Sequence, residues 1–137
     1  MIPPESFLDD VVLQTGRYRA MTALGEEMVA LILDDRLNDV LPLMERKRRL
    51  MEEIQEIEKR VSPLRKRWSE IKATLSPDQE KRASQVLLDA RGAIEALVAV
   101  ENRAGALLER GRAAASSQLD DLLRKRKADD AYGGGPP

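Results

Sequence analysis

From Pro77 to Lys127 the chain can be written as one uninterrupted helical pattern of roughly fifty residues, against the ~8 to 20 usual for a helix in a globular domain. Such a helix needs partners along its length. Its apolar positions step by three and four through Leu87, Ala90, Ile94 and Leu97, then through Glu101, Ala104, Leu108, Gly111, Ala115, Gln118 and Leu122, the spacing of a packed face. After Glu101 the large aliphatic residues give way to Ala, Gly and Gln. At ~25 cal/mol per Å² of buried apolar surface, this second half is weakly stabilised by its own packing and is a candidate docking surface.

The start of that helix is marked locally. Ser76-Pro77-Asp78-Gln79 places Ser at the N-cap, Pro at the first helical position, an acid in the first turn and Gln at the third position, which is a capping box. Two further helices precede it. One is predicted over about 5–33, with Leu8, Val11, Thr15, Tyr18, Thr22, Gly25, Val29 and Ile32 in phase and a flanking row that widens the apolar face enough to touch two neighbours. Asp34-Asp35 then offers a stop and a side-chain cap for the next helix. The second is predicted over about 36–75, on a stripe from Val40 through Leu50, Ile57, Val61, Leu64 and Trp68 to Leu75. Pro42 falls in its first turns, where the missing N–H costs little. Pro63 fits either a kinked continuous helix or a break capped by Ser62, and the unbroken phase of the stripe favours the kink.

Composition agrees with helix-on-helix packing. Phe7, Tyr18, Trp68 and Tyr132 are the only aromatics, so the core must be built from Leu, Ile, Val, Met and Ala, and 34% charged residues of mixed sign suit long solvated helices. The expectation is an all-α fold: an antiparallel bundle of three to four long helices with coiled-coil-like packing, one domain over 1–131 and a flexible tail over 132–137. Charge is segregated in the same sense. Residues 1–44 hold 3 basic and 8 acidic side chains and residues 45–67 hold 9 and 5, so the first two helices are electrostatically complementary.

Counting out from the turns gives a register. Folding the first helix back at Asp34-Asp35 brings Phe7 opposite residue 62 or 63, and folding the last helix back at Ser76 carries it past the start of the second near residue 116. Leu119, Leu122 and Leu123 then lack an intramolecular partner.

The chain has no His and no Cys. Disulfides, thiolate nucleophiles, thiolate or imidazole zinc sites and serine–histidine pairs are therefore excluded. Pairs such as Glu52/Glu56 and Asp120/Asp121 read as surface charge, and no catalytic residue, metal or cofactor is expected. The basic runs Arg46–Arg49, Lys59-Arg60 and Arg65–Arg67 are interleaved with Glu45, Glu52, Glu53, Glu56 and Glu58, unlike the unopposed basic face of a nucleic-acid footprint. Arg124–Lys127 reads as a favourable C-terminal helix cap. Trp68 lies in phase with the core stripe. Tyr132 falls outside the predicted helix, where a partner contact and an unstructured position both fit. The acidic first ten residues carry no signal-peptide pattern, and the longest apolar run, Met28–Leu33, is far short of the ~20 residues that span a bilayer, so a soluble cytoplasmic protein without membrane insertion is expected.

The layout also resembles a known family. Leu37-Asn38-Asp39-Val40-Leu41 leads into Glu45-Arg46-Lys47-Arg48-Arg49-Leu50-Met51, and the long final helix carries Glu101-Asn102-Arg103 before Ala131-Tyr132-Gly133. Over nearly the whole chain this is similar to the FlgN-type flagellar export chaperones. The resemblance implies a bacterial cytoplasmic chaperone that holds disordered terminal segments of the hook-filament junction (hook-associated) proteins and delivers them to the type III export gate. An amphipathic cargo segment packing on an exposed helical stripe suits that role. The overhang count nominates Leu107, Leu108, Leu119, Leu122 and Leu123 as cargo contacts and Tyr132 as a tail contact. Two rival readings stay open: a structural bundle adaptor, with the overhang forming a homodimer or larger homo-oligomer, and, behind it, a basic helical nucleic-acid binder.

Overall fold

The structure is a computed structural model that describes residues 4–132, with side chains described as far as Lys127. It is all-α, with no strand among the described residues: α1 (Pro4–Leu33), a 3-10 turn (Leu37–Asp39), α2 (Val40–Lys66), the short α3 (Trp68–Lys72) and α4 (Pro77–Tyr132). The chain divides into two units, up to Ala104 and from Gly105 on.

The first unit is a bundle of α1, α2, α3 and the first half of α4. Phe7, Leu8 and Val11 of α1, Ile57 and Val61 of α2 and Ala83 of α4 form one buried cluster, extended by Trp68, Leu75, Val86 and Leu87. Phe7 and Trp68 meet with ring centroids 5.3 Å apart at 34°, a tilted aromatic contact. Leu24, Met28, Val40 and Leu43 make a second cluster beside the turn. Asp10 binds Arg60 at 3.1 Å and Arg17 binds Glu53 at 2.8 Å. Seven residues separate the two partners on each helix, so both pairs lie on one antiparallel register. Three residues before Asp10, Phe7 comes level with Pro63, as the turn count expects.

Up to Ala104, α4 runs parallel to α1. Gln79 donates to Glu5 at 2.9 Å, Arg82 pairs with Asp9 at 3.0 Å, and a Cβ built on Gly25 would lie 2.9 Å from Val100 Cγ1. Gly25 is thus a point of close approach between the two helices, and an added methyl there meets a stiff β-branched side chain.

Local boundaries follow from hydrogen bonds. α1 ends in a Schellman motif: Arg36 N–H donates to Leu31 O at 2.8 Å and Asp35 N–H to Ile32 O at 3.1 Å, with Asp35 in the left-handed region at φ 57°. The acidic stop is where the sequence placed it, but neither Asp caps the next helix. α2 starts after Asp39, which makes no side-chain cap bond and is held by Arg36 at 2.7 Å instead. The capping box at α4 is present, with Ser76 N–H donating to Gln79 Oε1 at 2.9 Å and Gln79 N–H to Ser76 Oγ at 3.3 Å.

Pro63 lies inside α2, so Ser62 does not cap a new helix. The interruption comes at Arg67, whose N–H reaches back three residues to Leu64 O at 3.1 Å, with φ −104° and ψ 15°. A proline lacks the N–H that the Lys59 carbonyl would accept and crowds that carbonyl with its ring. The predicted single helix over 36–75 is therefore shortened at its start and divided near its end. This shortening changes the length of the packed face on α4. Lys47 of α2 pairs with Glu101, and the last buried residue of α4 among the described side chains is Ala104, about a dozen residues before the limit of 116 given by the count.

Candidate functional site

In the second unit every side chain from Gly105 to Lys127 is exposed except Leu107, which is half-buried. Leu108, Leu119, Leu122 and Leu123 are 42%, 57%, 64% and 50% exposed. At 100° per residue Leu108, Ala115, Leu119 and Leu122 fall on one side of the helix, with Leu123 at its edge, so four of the five nominated leucines share a face. Leu107 is turned away from it. Between the leucines stand Gly111 and the run Ala113–Ala115, which leave the backbone open to close approach.

Two details of this segment differ from the sequence reading. α4 continues through Tyr132, so Tyr132 is the final residue of a helix instead of the first residue of a tail. Its side chain, and residues 133–137, lie outside the described residues. The last turn accordingly carries no basic residue, and Arg124–Lys127 does not sit at the helix end as a cap.

The first unit holds a site that the sequence reading missed. A cleft of about 530 Å³ opens between α1, the α2–α3 junction and α4, with Phe7, Val11, Trp68, Leu87 and Ile94 on its apolar walls. Gln14, only 3% exposed, donates from Nε2 to Glu58 Oε2 at 2.6 Å. Arg65 closes on both oxygens of the same carboxylate, at 2.6 and 3.1 Å, reaching two turns back across Pro63. The Arg65 hydrogen bond, with a smaller contribution from Gln14, holds the Glu58 carboxyl below its ordinary range. Burial and the Glu58 charge push the Tyr18 phenol upward, so it stands in the cleft as a hydroxyl. The arrangement offers apolar contact and fixed hydrogen-bond partners. The signal in the sequence was Gln14 itself, three residues after Val11 and four before Tyr18 on an otherwise apolar face.

The basic stretch of α2 is largely paired. Arg48 binds Glu45 at 2.6 Å and also Glu52, Lys59 binds Glu56 at 2.8 Å, and Arg65 and Arg60 are engaged as above. Among the described residues no group of acidic side chains is placed to hold a metal ion, and no helix is long and apolar enough to cross a membrane. Compared with family models, curated proteins and solved structures, the chain gives no match.

Proposed function

We propose that this protein is a cytoplasmic export chaperone of the FlgN type, which binds amphipathic, otherwise disordered segments of hook-associated proteins and delivers them to the flagellar type III export gate. The observation that carries this reading is the exposed face of Leu108, Leu119, Leu122 and Leu123 on residues 105–127. A row of large aliphatic side chains at helical spacing, exposed over about four turns, is costly in water unless it is covered part of the time. A partner segment that folds on docking would cover it by the helix-in-groove mode, and the ordering of that segment would offset part of the binding energy and leave release accessible. The acidic side chains interleaved with the α2 cations favour this over the nucleic-acid alternative, which needs an unopposed basic face.

Calorimetry with terminal segments of hook-associated proteins tests it. The full chain binds such a segment, and Leu119→Ala with Leu122→Ala weakens binding at least about tenfold, in line with truncation of two central anchors. Unchanged affinity in the double variant overturns the docking site, and no binding by the full chain overturns the function.

A further inference from the structure

Two adjoining hollows of about 390 and 550 Å³ run along the seam of α1 and α2 and share Arg49. Their lining comes from these two helices alone. Leu24, Leu50 and Ile57 floor them, and on α1 the small exposed residues Ala20 and Ala23 alternate along the rim with Leu13, Arg17 and Glu27. Small residues beside an apolar floor let another helix backbone come close, which makes the seam a slot for one more helix.

The seam has a direction set by charge. On α2, Arg46 and Arg49 stand at one end and Glu52, Glu53 and Glu56 at the other. α1 contributes one charge of the opposite sign to each end, Glu27 beside the arginines and Arg17 beside the glutamates, which lessens the polarity without reversing it. Arg46 makes no ion pair among the described residues. Its neighbours are held in exposed pairs, Arg49 with Glu45 at 3.5 Å, Glu52 with Arg48, Glu53 with Arg17 at 2.8 Å and Glu56 with Lys59 at 2.8 Å, which solvent screens and leaves open to exchange.

The sequence of the second unit carries the opposite pattern at the same spacing. Asp120 and Asp121 lie between Leu119 and Leu122, and Lys125, Arg126 and Lys127 follow. Four residues separate Asp121 from Lys125, as four separate Arg49 from Glu53. Laid parallel to α2, this segment sets acid against Arg46 and Arg49 and base against Glu52, Glu53 and Glu56. The antiparallel direction sets like charge against like.

We propose that the slot between α1 and α2 receives residues 105–127 of a second copy of this chain, running parallel to α2, with Leu119 and Leu122 seated near Leu24 and Leu50. Each copy carries one slot and one segment, so reciprocal docking about a two-fold axis closes as a dimer. The inference shares with the proposed function the reading of the leucine face as a docking face, and it makes a second copy and a cargo segment rivals for it.

Sedimentation velocity on the full-length chain, with circular dichroism to confirm unchanged helicity, tests the pairing through charge reversal. Arg46→Glu with Arg49→Glu in one chain, and Asp120→Arg with Asp121→Arg in another, each raise the dimer dissociation constant about tenfold or more. Mixed, the two variants form a heterodimer as tight as the wild type, because both of its contacts are again of opposite sign. A wild-type chain that stays monomeric at high concentration overturns the proposal. So does a dimer indifferent to either reversal, or reversed chains that both dissociate but fail to pair with each other. Cargo binding by a monomeric chain would leave the proposed function standing while this inference falls.

Discussion

The two halves of α4 share one helix and differ in almost everything that packs. Up to Ala104 the fully buried positions are Ala83, Ala93, Val100 and Ala104, with Val86 and the larger Leu87 only partly buried beside the core, while the exposed side carries single apolar residues such as Leu88 and Val98. From Gly105 on the order is inverted, with the largest side chains exposed and the small ones between them. On α4, unlike on α1 and α2, residue size therefore does not mark the buried face. Small residues at helical spacing mark where another helix comes close to α4, whereas the leucines beyond Ala104 face solvent.

The contrast breaks most readily in the bundle. Phe7→Ala removes a side chain that is 2% exposed and stacked on Trp68, and it is expected to lower unfolding free energy by about 3–5 kcal/mol in denaturant titration. Leu119→Ala should stay within about 0.5 kcal/mol in the same assay at a concentration where the chain is monomeric. Equal losses at the two positions would mean that 105–127 is packed as the bundle is. A smaller effect is expected at the entry to α4. Ser76→Ala removes one half of the capping box and should cost about 1 kcal/mol by thermal unfolding. A sharper probe uses glycines. Gly111→Ala, with nothing within 4 Å of the new methyl, should gain about 0.5–1 kcal/mol of helix propensity, whereas Gly25→Ala meets Val100 and should lose stability despite the same gain.

The smallest effect is in pH. Because the folded Glu58 carboxyl lies below its ordinary value of about 4.5, its contribution is present in full above that value and is lost as pH falls through the folded one. Glu58→Gln should therefore flatten part of the acid side of the stability profile. Arg65 and Glu58 are partly exposed, so solvent screening keeps the change modest.

Much of the bundle was legible in the sequence because helical periodicity and turn chemistry are local signals. The stripe on α1, the stop at Asp34-Asp35, the capping box at Ser76 and the Phe7–Pro63 register all follow from spacing alone. The end of the packed face on α4 was not, because it depends on how much length Pro63, Arg67 and the 3-10 turn remove from α2, a sum over several small backbone adjustments. The cleft was missed for a different reason. Gln14, Glu58 and Arg65 are 44 and 7 residues apart in sequence and become one network only when α1 and α2 are side by side. Leu108, Leu119 and Leu122 were readable as one face, but Leu107 and Leu123 depend on rotation about the helix axis.

Hydrogen–deuterium exchange across α4 tests the division between its halves most directly, at low micromolar chain and again with a hook-associated terminal segment added. Amides from Ala83 to Ala104 should exchange slowly in both samples, and those from Gly105 to Lys127 should exchange fast alone and slow on addition of the segment. Equal protection of the two halves in the dilute chain, or no change between Gly105 and Lys127 at saturating segment, would contradict the account.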